Sequence, residues 1–561
     1  MASPNVFQEL FIRHYYPGDQ EVISAYLDLL RRVSEEKLKG RALKLELAGR
    51  DNQEDILKLA HLGFMGIDVP EQYGGIGLGY TAYAMSEWEV GEFSGHPAIV
   101  LDTEISHVVQ TIINAVGTEA QKERFLSRLA KGYVSRGLNQ PETLGAEPNF
   151  DNPDLVIASF GQTEDEAGSH SKNITSRLED MAGDPNNLKA FISKKFITND
   201  ARAGFTIFTV WYNGQITSVI VENDAPGHTI TRIDTMGHKT SPTTERSMDG
   251  LIVPKENLIG RPGEGAINFH KALQEGRYGI SIVSASSISY LIKEVVERAN
   301  NRIQFKKPII NFDSVLSEIA YLEVTALASR LMVYQGALRI DRRETEDLAY
   351  HSALTKYFAT ERSVQAAKKA IEVFGAMGYS IETGIERFLR DAQLGVTGEG
   401  TSNVVREIAA KEMLRKCSIP TDSLDRRFEA AIYQGHEELK VYEAIKSSQE
   451  VANRSIRVLN PDSSDRYFVM LGDMAASIEA TKSLFDFALT LREHNEAQAG
   501  KVLAMAMRQA VSMAEEVASN GNQFLLQNDK KPMYNAAGIY INNVLELEKR
   551  ISGVHRKNLL H

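Results

Sequence analysis

The sequence predicts a mainly α-helical protein with a β-domain in its middle, and three observations carry that reading. Helical periodicity runs in blocks through residues 20 to 132. After Tyr133 the chain turns to short segments rich in β-branched and aromatic residues. Helical patterning then returns at about residue 261 and persists to the C-terminus. At 561 residues the chain exceeds what one hydrophobic core serves. Four domains are expected: an N-terminal α-domain over 1–133, a β-domain over 134–260, a second α-domain over 261–417 and a helical extension over 424–561.

In the first domain, "DQEVISAYLDLLRRVSEEKLKGRALKLEL" and "GTEAQKERFLSRLAKG" read as helices, the second opened by Thr118 as N-cap. Between them "GFMGIDVPEQYGGIGLGYTAYAMSEWEV" reads as a glycine-rich loop leading into a helix. Gly77 to Ala82 spells G-x-G-x-x-A, but neither a βαβ unit nor the later acidic residue of a dinucleotide fingerprint accompanies it. "FISKKFITND", "FTIFTVWYNG", "ITSVIVEND", "HTITRID" and "GLIVPKENLIG" read as strands. The polar, acidic stretch over about 142–187 reads as a surface insertion. Helices resume at "GAINFHKALQEGRYGISIVSASSISYLIKEVVERANNRIQF" and run to Leu414, and "CSIPTDSLD" connects them to the last block.

Composition removes several function classes. A net charge of -11 without a basic stripe argues against nucleic acid as a partner. No charged and apolar leader opens the chain and no eighteen apolar residues run together, so no transmembrane segment is expected and the location reads as cytoplasmic. The lone Cys417 fits a reducing compartment and excludes an internal disulfide framework. Zinc spacings, G-x-S-x-G and Walker A are absent; His436 precedes two glutamates but lacks the second histidine of a metalloprotease helix, and no metal is expected.

One segment stands out. In "RDAQLGVTGEGTSNVVREIAAKEML", Glu399 lies between Gly398 and Gly400, with Gly395 one helical turn earlier. Glycines free the backbone and clear side chains from around an acid that must approach a ligand. The same residues also suit a helix start, with Thr401, Ser402 and Asn403 as N-cap candidates and an acid favoured by the helix dipole.

Residues 20 to 415 resemble the acyl-CoA dehydrogenase family in one consistent order. "GFMGIDVPEQYGGIGLGY" is similar to the family's N-terminal loop, "KKFITND" to its flavin-contacting strand and "NRIQFKKPI" to the turn that reaches the flavin of a neighbouring subunit. "EVFGAMGYSIETGIERFLRDAQ" resembles the segment before the catalytic base, and "GEGTSN" the pattern around it, with Glu399 eight residues after Asp391. The resemblance implies an acyl-CoA dehydrogenase-like α/β/α domain order, FAD as cofactor, an acyl-CoA substrate and electron-transfer flavoprotein as electron acceptor. It implies a homodimer or homotetramer, with a heteromeric assembly as a further arrangement known in the family.

The resemblance assigns roles residue by residue. Glu399 would be the base for the thioester α-proton, with burial beside the acyl chain raising its pKa. Phe196 would pack on the isoalloxazine, flanked by Ile197, and Thr198 would place a hydroxyl near its N5. Arg302, Gln304 and Phe305 would reach the neighbouring flavin. Asn139, Glu372, Gly375, Thr401 and Asn403 fall at other flavin positions, and Arg277, Gly398 and Gly400 at the substrate. Some members carry the base immediately before the residue matching Arg277; here that residue is Gly276, with Glu275 beside it as the alternative acid.

The pattern also departs from the family. Asn139 replaces a threonine in the flavin loop at 139–149, Glu372 replaces a glutamine, Lys306 a glycine and Gly398 a bulky aromatic. These departures keep a flavin-poor partner subunit as an alternative reading, beside an oxidase that passes electrons to oxygen. The extension resembles in position the extra helical domain of long-form members, used in dimer packing or as a peripheral membrane contact.

Overall fold

A computed structural model describes residues 6–134, 157–419, 428, 436–459 and 464–527. It forms two compact units, Leu27–Val283 and Met1–Tyr26 with Ser284–His561.

Helix α2 (Gln20–Val33) contributes residues to both units, and the first unit carries α3 (Arg41–Leu47), α4 (Gln53–His61), α5 (Tyr80–Ser94), α6 (Pro97–Val116) and α7 (Glu119–Val134). Thr118 caps α7 as expected: its hydroxyl accepts from the Gln121 amide at 3.2 Å while Gln121 Oε1 accepts from the Thr118 amide at 3.0 Å. The loop over Gly77–Gly79 has positive φ at both glycines and enters α5 directly from a 3₁₀ turn at Glu71–Tyr73, not from a strand. Every residue of α5 is buried, including Glu87, Glu89 and Glu92, because each acid has an internal partner: Tyr83, Arg31 and Trp88 donate to them in turn.

The sheet follows as β1 (Ala158–Gly161), β2 (Arg177–Met181), β3 (Asp184–Thr198), β4 (Phe205–Tyr212), β5 (Gln215–Glu222), β6 (His228–Arg232), β7 (Thr243–Pro254) and β8 (Leu258–Ile259). Its order is β6-β7-β3-β2-β4-β5-β8, with β1 parallel to β4 and most other pairs antiparallel. One face buries Leu188, Ala190, Ile192, Phe208, Val210 and Val219. A second core joins α6 and α7 to β1 and β4 through Phe125, Leu129, Ala158, Phe205 and Ile207. Each of its aromatic side chains contributes roughly 1.5–3 kcal/mol by leaving water.

Residues 157–187 differ from the expected surface insertion. They contain β1 and β2, and Ile174, Leu178 and Glu164 are buried. Glu164 is tolerated there because Lys194 and the Thr175 and Ser176 amides donate to its carboxylate. Residues 135–156, with Asn139 and the rest of the 139–149 loop, lie outside the described residues.

The second unit holds α1 (Val6–Tyr15), the hairpin β9 (Ile303–Gln304) and β10 (Lys307–Pro308), then α9 (Asp313–Asp341), α10 (Leu348–Phe374), α11 (Ala376–Tyr379), α12 (Ile385–Thr397) and α13 (Ser402–Lys416). The extension adds α14 (His436–Val458), α15 (Asp465–Glu493) and α16 (Ala499–Gln527). Helix α8 (Gly265–Asn301) contributes residues to both units. Helix α15 is buried on nearly every face against α9, α10, α13 and α16, so the extension shares one compact unit with the preceding helices instead of standing apart. Residues 528–561 lie outside the description. Among the described residues one helix, Ala272–Asn301, is long and apolar enough to cross a membrane, and 72% of its most apolar window is buried within the protein.

Candidate active site

Glu399 sits in the break between α12 and α13. Helix α12 ends where the Gly398 amide donates to the Leu394 carbonyl at 2.7 Å. Gly398 is extended, Glu399 itself is left-handed at φ 53°, and Gly400 follows at φ 94°. A left-handed backbone at a residue with a long side chain costs of order 1 kcal/mol and concentrates at functional sites. The side chain is half-buried. Thr401 is the N-cap of α13 by position, but its hydroxyl caps nothing. Ser402 instead donates to Glu361 at 2.6 Å, and exposed Asn403 accepts from Arg406 at 2.5 Å. Gly395 serves packing: a Cβ there would meet Ser284 Oγ at 2.7 Å and Thr360 Cγ2 at 3.1 Å.

A second group lies toward the other end of α10. Lys356 of α10 bonds the Gly400 carbonyl at 2.7 Å, whereas Glu372 is sixteen residues further along the same helix, roughly 24 Å by helical rise. Arg302 leaves α8 and enters the β9–β10 hairpin, whose two-residue turn is Phe305–Lys306 with φ of 48° and 66°. That is the hairpin turn normally made with Gly or Asn. Phe305 is 87% exposed, and Arg302 and Gln304 are exposed beside it. Arg298, one turn before Arg302, lies 5.7 Å from the Phe374 ring centroid, which brings the hairpin's root to the end of α10 where Glu372 and Gly375 are exposed.

In the other unit, β3 breaks its alternation at the predicted residues. Its register with β7 shifts between Lys194 and Ile197, Phe196 has φ 56°, and its ring is 61% exposed. Ile197 points into the sheet core, so only its backbone is available to a ligand. Thr198 is half-buried and its carbonyl accepts from Ser159 Oγ at 2.5 Å. On α8, Gly276 and Arg277 are buried. Glu275 is engaged: its carboxylate accepts from Thr111 Oγ1 at 2.5 Å and its carbonyl from the Tyr80 hydroxyl at 3.1 Å.

Around Glu275 lies a polar interior that sequence reasoning missed. His107 bonds Asp68 at 2.7 Å and stacks on Tyr83 at 4.0 Å between ring centroids. Burial alone would lower the His107 pKa, but Asp68, backed by Glu104 and Glu275, pushes it to about 9. Burial pushes the neighbouring Glu87 up to about 8. Lys356, fully buried beside Glu399, was also missed. In sequence these residues look like the solvated faces of helices. Among the described residues no group of three or more metal-ligating side chains converges.

The chain is similar to known proteins in sequence and fold. Residues 21–133 match the acyl-CoA dehydrogenase N-terminal domain and residues 263–414 the acyl-CoA dehydrogenase C-terminal domain. A probable acyl-CoA dehydrogenase, YngJ of Bacillus subtilis, is 30% identical over 397 residues, covering 69% of this chain and 97% of that protein. The structure of butyryl-CoA dehydrogenase from Megasphaera elsdenii superposes with a TM-score of 0.64 at 26% identity, over 71% of this chain and 99% of that one. An acyl-CoA dehydrogenase complexed with FAD from Bacillus anthracis shares the fold at a TM-score of 0.82 and 20% identity, over 98% of this chain and 97% of that one.

Proposed function

Because this chain belongs to the acyl-CoA dehydrogenase family, we propose that it converts an acyl-CoA thioester to the trans-2-enoyl-CoA with Glu399 as the base. Members are FAD-dependent oxidoreductases, and this chain is an enzyme of that class. The observation that carries the assignment of the base is the left-handed Glu399 between Gly398 and Gly400, at a gap between two helices.

The residues fit FAD. Phe196 presents an exposed ring at a strained position near the end of β3, which gives a planar ring system an apolar surface. Phe305 does the same at the tip of a hairpin, with Arg302 available as a cation for a pyrophosphate. A Cβ on Gly375 would meet nothing within 4 Å, which leaves open space beside exposed Glu372. Thr198, Gln304, Thr401 and Asn403 offer polar groups, and the Ile197 backbone is the part of that residue able to bind. When bound, FAD supplies the acceptor for a hydride from Cβ.

A thioester α-proton is weakly acidic, so the protein must supply a base at Cα. A Glu399 carboxylate oxygen takes that proton as the Cα–H bond breaks and the Cα=Cβ bond forms. The Glu399 amide would donate to the thioester oxygen and hold the charge that develops there. Gly398 and Gly400 keep side chains out of the way, and the family resemblance assigns buried Arg277 to substrate binding. Electrons leave to electron-transfer flavoprotein. The exposed 303–308 hairpin reaches a second copy, making a homodimer or homotetramer.

Anaerobic mixing of Glu399→Gln with acyl-CoA tests the base. The variant keeps its flavin spectrum and bleaches about 10²- to 10⁴-fold more slowly. Bleaching at the wild-type rate would overturn the assignment and move attention to Glu275.

A further inference from the structure

We propose that Lys356 is a positioning residue that fixes the Glu399 turn from beneath, an inference that rests on Glu399 being the base. Lys356 lies on α10 and is fully buried. Its ammonium donates to the Val396 carbonyl at 3.1 Å and to the Gly400 carbonyl at 2.7 Å. The two acceptors bracket Glu399. Val396 belongs to the last turn of α12, where carbonyls lack partners within the helix and carry the negative end of its dipole. Gly400 lies on the far side of the acid, just before α13 begins.

A buried ammonium is costly unless its donors are satisfied, so this lysine is held where it is by the carbonyls it binds. It ties the end of one helix to the residue after Glu399 and so limits the backbone angles open to the three residues between them. That constraint suits a turn whose middle residue is left-handed and carries a long side chain. Helix α10 also holds the rest of the segment: Thr360, one turn on from Lys356, packs on Gly395, and Glu361 accepts from Ser402. Lys356 touches neither proton nor hydride. Its contribution is the position of the Glu399 carboxylate and amide.

The test compares Lys356→Met, which keeps the length and removes the donors, with Lys356→Gln, which can still donate to one carbonyl, both as holoenzymes and both with and without Glu399→Gln. In the Glu399-containing enzyme, Lys356→Met is expected to lower kcat about 100-fold with KM changed by less than about threefold, since misplacing a reacting group by about 1 Å costs that order. Lys356→Gln falls between it and wild type, so a folding failure of the methionine variant leaves the glutamine variant to decide. In the Glu399→Gln background neither substitution lowers the residual rate further, because the positioned group is already gone. Full kcat in either folded Lys356 variant, or the same loss with and without Glu399, would overturn the positioning role. A wild-type rate in Glu399→Gln alone would instead refute the base and leave Lys356 a purely structural residue.

Discussion

Glu164→Gln breaks a buried ion pair two residues from Phe196, and the structure sets its cost. Lys194 Nζ donates to Glu164 Oε1 at 2.7 Å and to the Gln162 carbonyl at 2.9 Å, with both charged side chains almost fully buried. Against the pull of burial, Lys194 and the Thr175 and Ser176 donors hold the Glu164 carboxyl down at about 2, from 4.5. At about 1.4 kcal/mol per pH unit, that shift is worth roughly 3 kcal/mol at neutral pH. The contribution is fully present above pH 4.5 and is lost as pH falls toward 2. Lys194 carries the opposite sign: burial, only partly offset by Glu164, pushes it down to about 8 from 10.5, a penalty of similar size that fades as pH rises from 8 toward 10.5. The two shifts share one Glu164–Lys194 attraction and so do not cancel term by term; a buried pair of this kind roughly breaks even against its desolvation, while an orphaned ammonium costs about 3–5 kcal/mol. Urea denaturation at pH 7, followed by tryptophan fluorescence and flavin release, should show that loss for Glu164→Gln. The double variant with Lys194→Met should recover to within about 1 kcal/mol of wild type. If the double variant is as unstable as Glu164→Gln alone, the charge argument fails.

Arg302→Ala is expected to lower flavin occupancy and loosen the oligomer together, read by absorbance at 450 nm and by sedimentation; full flavin in an unchanged assembly would remove Arg302 from the site. At Gly398 the backbone is extended, and an added Cβ would meet the Leu394 carbonyl at 3.2 Å, so a side chain fits after a small shift. Gly398→Tyr should then favour straight over branched acyl-CoA by roughly tenfold or more in kcat/KM, since a lost pocket contact is worth about 1–3 kcal/mol. An unchanged ratio would show that the space is not used for selection.

The helix at Gln20–Val33 and α7 were legible from their apolar periods, and β4 and β5 from their β-branched and aromatic composition. The local pattern and the resemblance single out Glu399 and Phe196, and both are left-handed at non-glycine positions. The acidic stretch hid β1 and β2, because composition does not distinguish a solvated carboxylate from Glu164 paired with Lys194 inside the sheet. Helix α5 buries Glu87, Glu89 and Glu92 and α15 buries Glu479 and Asp486, with partners distant in sequence or one turn away, as Arg31 matches Glu89 and Tyr15 matches Asp486. Lys356 gave no signal: its value lies in two backbone carbonyls forty and forty-four residues downstream. Gly395 and Gly398 are also less alike than their spelling suggests, since the first packs helices and only Gly400 and Glu399 take the left-handed turn.

If Glu399 removes the α-proton, exchange of that proton uncoupled from oxidation reports it directly. An acyl-CoA analogue with no hydrogen on its β-atom cannot lose hydride, so incubation with the holoenzyme in deuterium oxide reports proton removal alone. Wild type and Glu275→Gln should deuterate the α-carbon at equal rates, and Glu399→Gln should slow exchange by about 10²-fold or more. Exchange that persists in Glu399→Gln and disappears in Glu275→Gln would instead make Glu275 the base.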